Sequence, residues 1–125
     1  MKFATLSAVA LALSVGLFAG SALADGDAAK GQKVFKKCKS CHTVDNGGKH
    51  KIGPNLFGVF GRAVASSDFP KYKGLSAEDG IWDAANLDKW LTNPKKFNAK
   101  KTSMAVKLKK EKDRKNVIAY LMTLK

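Results

Sequence analysis

The sequence has little sulfur and little negative charge. Its 125 residues include only two cysteines, which lie within four positions of each other and therefore cannot build a framework of several disulfides. Ten acidic residues stand against 23 basic ones, which gives a formal net charge of +13. There is no internal repeat or low-complexity segment, and beyond the N-terminus no run is apolar enough to cross a bilayer. These absences exclude a disulfide-rich scaffold, a repeat protein and a membrane-spanning domain.

The N-terminus has the pattern of an export signal. Lys2 precedes an uncharged apolar run over residues 8–19, and small residues up to Ala24 have the spacing of a cleavage site. The run is short for a membrane span, and the residues that follow it are acidic, so they would not anchor one. We predict that residues 1–24 are a signal peptide removed after Ala24. Residues 25–125 are then expected to form one soluble domain, small enough for a cofactor to be needed for its stability.

Two terminal helices are expected to cross. Apolar spacing predicts a first helix over residues 28–37, capped by Asp25 or Asp27, and a last helix over residues 111–124. Gly31 lowers the stability of the first helix, which is reasonable if another backbone must come close to it. We therefore expect the two helices to cross near Gly31 and Phe35.

The middle of the chain is predicted to be mostly loop. Turn residues recur over residues 45–74, with too little periodicity for long elements, and a loop of this length needs something to wrap around. A third helix is expected to begin at Asp83 or Asn86 and to end before Pro94, because proline cannot continue a helix. The lysine-rich residues 107–115 are expected to be a solvated loop that leads into the last helix.

The segment Cys-Lys-Ser-Cys-His at residues 38–42 carries the strongest chemical signal. Cys38 and Cys41 are spaced to add to the two vinyl groups of one haem, and His42 can reach the iron from the same side. A redox dithiol, half a zinc site and a buried thiol pair are the alternatives. No second cysteine pair completes a zinc site, and no βαβ pattern surrounds a thioredoxin-like one. The motif therefore predicts one covalent haem c with His42 as an axial iron ligand.

The second axial ligand must come from another part of the chain. Met104 lies in a non-periodic, lysine-rich segment that could cross the opposite face of the haem. Met122 lies among the apolar positions of the last helix, where methionine usually fills the core. We predict that Met104 is the ligand. The alternatives are that Met122 is the ligand, that the iron is left open, or that a lysine or histidine binds it.

These motifs make the sequence resemble the class I cytochromes c, in particular the bacterial cytochromes c2 and mitochondrial cytochrome c. The resemblance runs through the whole predicted mature chain. Its matching segments are residues 38–44, 53–62, 81–82, 93–97, 102–104 and 118–121. It implies a small all-α fold in which three to five helices and loops wrap around one covalent haem, with the N- and C-terminal helices crossing.

The resemblance also implies roles for residues around the haem. Pro54 would offer its carbonyl oxygen to the second nitrogen of the iron-bound histidine, which fixes the orientation of the ring. Arg62, Trp82 and Thr102 would neutralise or hydrogen-bond the buried haem propionates. His50 would tie loops together and would not bind iron.

Two positions depart from the family's pattern. Residues 99–104 contain no proline or glycine to stiffen the methionine loop, whereas many members have both. Trp90 falls where the family often has a tyrosine, so a hydrogen bond to the methionine sulfur would have to come from an indole N–H or be absent.

Charge is unevenly distributed along the chain. Residues 62–88 carry three basic and five acidic side chains, whereas residues 89–115 carry eleven basic and two acidic ones. This division predicts a large dipole that orients the protein toward an acidic partner. We expect reversal of charge at Lys95 or Lys96 to slow docking more than reversal at Lys71 or Lys73. The lysines that resemble the family's docking residues are Lys33, Lys37, Lys49, Lys51, Lys95, Lys96, Lys109 and Lys110.

A haem iron ligated by His42 and Met104 has no vacant position for a substrate, so the prediction is a one-electron carrier and not an enzyme. The resemblance implies a periplasmic monomer that takes electrons from a cytochrome bc1-type complex and passes them to a reaction centre or terminal oxidase. An open-site haem enzyme or gas-binding haem protein is the alternative. A nucleic-acid binder would suit the charge, but the chain has an export signal, a haem motif and no recognition motif.

Overall fold

The structure is a computed structural model, and it describes residues 26–99 and 101–125. The predicted signal peptide lies outside these residues, as does Asp25, so cleavage after Ala24 stays a prediction. Within the described residues, no helix is long and apolar enough to cross a membrane.

Helices joined by long loops make up the described chain, as the sequence predicts. The only strand-like pairing among these residues is one isolated bridge between Ala63 and Ile81. The α-helices are α1 (Ala28–Val34), α2 (Ala84–Thr92) and α3 (Glu111–Met122). Short 3₁₀ helices span Phe35–Lys37, Ala77–Asp79 and Pro94–Ala99.

Helix α1 begins after Asp27, whose side chain accepts a hydrogen bond from the backbone N–H of Lys30 at 3.1 Å. This bond satisfies one of the N–H groups that have no partner inside the helix. The predicted helix extends to Lys37, but its last turn tightens into the 3₁₀ helix Phe35–Lys37. This 3₁₀ helix leads directly into Cys38, the first residue of the Cys-Lys-Ser-Cys-His segment.

Helices α1 and α3 cross at Gly31, which confirms the predicted contact. A Cβ atom at Gly31 would collide with the backbone carbonyl of Asn116, so only glycine permits this approach. One turn further along, the rings of Phe35 and Tyr120 have centroids 5.4 Å apart. The side chain of Asn116 also accepts a hydrogen bond from the backbone N–H of Asp27 at 2.9 Å. Burial of a side chain such as Phe35, which is 1% exposed, contributes about 1.5–3 kcal/mol.

Helix α2 is capped by Asp83, one of the two predicted caps, which accepts a hydrogen bond from the N–H of Asn86 at 2.8 Å. It ends at Thr92, before Pro94, as expected. The 3₁₀ helix Pro94–Ala99 that follows was not predicted. Its start at Pro94 is reasonable because the fixed φ of proline suits a first helical turn, where no N–H is needed.

An aromatic cluster joins α2 to this 3₁₀ helix. The ring of Trp90 lies 5.6 Å from that of Trp82 and 5.5 Å from that of Phe97, with the latter pair perpendicular. Edge-to-face pairs of this kind contribute beyond their buried area. The packed rings form one side of the protein interior.

Candidate haem site

A largely apolar cavity of about 290 Å³ lies between the helices and the long loops. Its lining comes from all parts of the described chain. Every predicted site residue is part of it: Cys38, Cys41, His42, Pro54, Arg62, Trp82, Thr102 and Met104. Met122 does not line the cavity, although it packs against the hydrophobic core as Met104 does. The fold therefore gathers at one cavity residues that are up to 66 positions apart in the sequence.

His42 is held by its neighbours in the loop after the motif. The distance from its Nδ1 to the carbonyl oxygen of Pro54 is 2.7 Å. A carbonyl oxygen only accepts, so Nδ1 carries the proton and Nε2 keeps a free lone pair. Burial lowers the pKa of His42 below its ordinary value, and the bond to Pro54 opposes this only in part. The imidazole is therefore neutral at neutral pH, as a metal ligand must be.

The two cysteines lie on one tight turn beside His42. The N–H groups of Cys41 and His42 both donate to the carbonyl oxygen of Cys38, at 3.0 and 2.9 Å. Burial, followed by repulsion from Cys41, raises the pKa of the Cys38 thiol to about 11. A thiol with so high a pKa is a poor redox nucleophile, which disfavours the dithiol alternative.

Met104 belongs to the non-helical segment 101–110, which leads into helix α3. Its backbone N–H donates to Oγ1 of Thr102 at 3.3 Å, and both side chains line the cavity. The segment is fixed near its end by Leu108, whose side chain is buried and whose N–H donates to the carbonyl oxygen of Leu91 at 2.8 Å. The structure thus places Met104 at the same cavity as His42.

Arg62 has an unsatisfied donor inside this site. Its Nε is buried with no hydrogen-bond partner, while its side chain also donates to the carbonyl oxygen of Phe57 at 3.3 Å. A buried guanidinium N–H without a partner is costly, and a carboxylate is the acceptor that suits it best. Together with two thiols, a neutral imidazole, a thioether and apolar walls, this donor fits a haem that carries propionate groups.

Lys71, Tyr72 and Lys73 are among the lining residues that were not predicted from the sequence to lie at the site. The hydroxyl of Tyr72 pairs with that of Ser67 at 2.5 Å, and its ring stacks edge-on against Phe69 at 5.1 Å. The two lysines were expected to lie away from the docking face, yet they lie at the cavity along with Lys37. No spacing in the sequence shows where this part of the long loop runs, so only the structure could place them.

His50 lies outside the cavity lining and connects loops, as the resemblance implies. Its Nδ1 accepts a hydrogen bond from the backbone N–H of Asn55 at 2.9 Å. Its Nε2 must then carry the proton, and it donates to the carboxylate of Asp68 at 2.7 Å. The ring thereby holds two distant parts of the long loop together.

Comparison with known proteins shows the family of this chain. The sequence model of the cytochrome c family matches residues 28–125. Cytochrome c2 from Rhodospirillum rubrum is 45% identical over 130 aligned positions, which cover 90% of this chain and 96% of that protein. Cytochrome c-550 from Novispirillum itersonii is 44% identical, with 80% of this chain and 100% of that protein covered.

Among solved structures, cytochrome cH from Methylobacterium extorquens is similar, with a TM-score of 0.68 and 34% identity. The match covers 78% of this chain and 99% of that one. The family match includes every residue that lines the cavity. The chain therefore belongs to the cytochrome c family, as a class I c-type cytochrome near the cytochromes c2, and is an electron-transfer protein with covalent haem c and not an enzyme.

Proposed function

We propose that this chain is a periplasmic one-electron carrier with His42 and Met104 as its axial iron ligands. Cys38 and Cys41 would hold the haem covalently. The carrier would take electrons from a cytochrome bc1-type complex that oxidises quinol and deliver them to a reaction centre or terminal oxidase. The export pattern of residues 1–24 supports the location.

The observation that carries the proposal is the presence of His42 and Met104 at one apolar cavity with the cysteine pair. When bound, the haem supplies one-electron chemistry at its iron. His42 offers Nε2 because Pro54 occupies Nδ1. The thioether of Met104 is a neutral donor, which favours the ferrous state over the ferric one. If His42 and Met104 both hold the iron, no position on it would be left for a substrate.

Apolar side chains keep water from the interior of the site. Trp82 is 7% exposed and Leu87 is 4% exposed, and both line the cavity. When water is excluded, few solvent dipoles would have to reorient as the iron gains or loses one electron. Arg62 would balance the negative charge of the propionates, so that this charge is not buried without a partner.

Exposed lysines supply the proposed docking surface. All eight lysines of the predicted docking set are exposed. Lys37 lies at the cavity, and Lys95 and Lys96 lie on the 3₁₀ helix that precedes the Met104 segment. A positive surface around the site of electron transfer would orient the protein toward the acidic face of a redox complex.

Stopped-flow kinetics with the isolated partner complex test this function. The second-order rate should fall steeply as salt rises, because at an ionic strength of about 0.15 M charges more than about 8 Å apart are largely screened from each other. Lys95→Glu and Lys96→Glu should slow association more than Lys30→Glu, which makes the same change in net charge. Lys30 is the better comparator than Lys71 or Lys73 because it lines a separate groove at the start of α1 and α3.

Two results would contradict the proposal. A rate that does not change with ionic strength, or equal slowing by all three reversals, would mean that docking does not use this surface. Ready binding of carbon monoxide by the ferrous protein at neutral pH would mean that the iron is open, as in a gas-binding haem protein.

A further inference from the structure

Arg114, in the first turn of α3, makes three side-chain hydrogen bonds that no feature of the sequence predicts. Its Nε donates to Oδ1 of Asp88 on α2 at 2.7 Å. A second guanidinium nitrogen donates to the carbonyl oxygens of Leu108 and Lys109, both at 3.0 Å. The side chain is 13% exposed; its bonds to Asp88 and Leu108 are partly buried, the bond to Lys109 is exposed, and all three are charge-assisted.

The two carbonyls belong to the end of the segment that carries Met104. That segment has no helix of its own and no proline to restrict it. Arg114 therefore restrains the end of this segment, which the segment's own backbone does not. Asp88 in turn fixes the guanidinium, since a carboxylate on one edge leaves the other edge aimed at the carbonyls.

Met104 lies four residues before Leu108, and each residue spans at most about 3.6 Å. Fixing Leu108 and Lys109 therefore limits where the thioether can lie. If Arg114 is removed, two carbonyls lose a charged donor, and the segment has more conformations available to it.

We propose that Asp88 and Arg114 form a positioning pair that keeps Met104 on the iron by clamping residues 108–109 against α2 and α3. This inference rests on the proposed role of Met104 as ligand. The pair touches neither the haem site nor the docking lysines other than Lys109, whose backbone it binds. Its effect is to lower the fraction of molecules in which the thioether has left the iron.

Imidazole added to the ferric holoprotein tests the pair, because it binds only where Met104 has dissociated. Apparent affinity is then proportional to the open fraction. Arg114→Gln should bind imidazole about ten-fold more tightly than the wild type, as loss of a charge-assisted bond predicts. The charge-matched change Lys115→Gln, at the next residue on α3, should leave the affinity unchanged.

Asp88→Asn provides a second variant that keeps the guanidinium and removes only its anchor. It should tighten imidazole binding by several-fold, whereas Glu78→Gln, with the same change in charge, should not. Asp27→Ala removes the cap of α1 and lowers global stability without touching the Met104 segment, so it too should leave imidazole binding unchanged.

The outcomes separate this inference from the proposed ligand. If Met104→Ala keeps the ferric sulfur-to-iron absorption band, the ligand assignment fails first. If that variant loses the band but Arg114→Gln and Asp88→Asn bind imidazole like the wild type, the positioning pair is wrong and the ligand stands. Equal tightening by Asp27→Ala would reduce the role of the pair to general stability.

Discussion

The carbonyl oxygen of Pro54 accepts a hydrogen bond from Nδ1 of His42 at 2.7 Å, across twelve residues of chain. Gly53, the residue before Pro54, packs against the imidazole ring, and its missing side chain leaves room for that ring. The loop thus supplies both the partner that fixes the ring's proton and the space in which the ring lies. If His42 holds the iron through Nε2, this small group of residues would orient that ligand.

Gly53→Ala should displace the His42 ring. A Cβ atom there would lie 2.8 Å from Nδ1 and 2.9 Å from Nε2, which is closer than packed atoms tolerate. We expect the holoprotein to lose about 2 kcal/mol of unfolding free energy and to show an altered Soret spectrum. Denaturant titration and absorption spectra measure both.

The matched control is Gly47→Ala. Gly47 has a φ of +73° and open space around it, so alanine there adds backbone strain of about 1–2 kcal/mol without a clash. Its spectrum should stay that of the wild type. Identical spectra for both variants would show that Gly53 does not position the ring.

Met104→Ala and Met122→Ala should differ in kind. Met104→Ala should abolish the sulfur-to-ferric-iron band, lower the potential and admit small ligands, because the thioether at the cavity is lost. Met122→Ala should keep the band and lose about 2 kcal/mol of stability, since Met122 packs against the core. Spectroscopy, redox titration and denaturation distinguish them, and an exchange of these behaviours would refute the assignment.

Asp68→Asn should lower the free energy of unfolding at neutral pH but not in strong acid. The hydrogen bond from His50 lowers the pKa of the Asp68 carboxyl below its ordinary 3.8. A lowered folded-state pKa means that the carboxylate stabilises the fold above the ordinary value and that this contribution is lost as pH falls through the folded-state value. The variant should therefore be less stable than the wild type near neutral pH and equal to it in strong acid.

Denaturant unfolding at a series of pH values measures that difference. Asp45→Asn, at another exposed aspartate of the long loop, makes the same change in charge and is the matched control. A stability difference that persists unchanged into strong acid would mean that Asp68 does not act through its charge.

Much of the fold followed from local pattern. The end of α2 before Pro94 was predicted, and of the two proposed caps, Asp83 and Asn86, the structure has Asp83, because side-chain and backbone chemistry at these ends needs no tertiary context. The crossing at Gly31 was also predictable, since a glycine inside a helix lowers its stability and a close backbone approach offsets that loss. The 3₁₀ helix Pro94–Ala99 was missed because the same proline that ends one helix can begin another.

The sequence alone determined the chemistry of this protein. A Cys-x-x-Cys-His segment fixes the haem motif by covalent spacing within a single turn, and few methionines leave few candidates for the opposite ligand. Tertiary structure decided everything that depends on the path of a long loop: the place of Lys71 and Lys73 at the cavity, and the link from Asp88 through Arg114 to residues 108–109. These contacts join residues with no common periodicity. Tertiary packing, and not local propensity, brings them together.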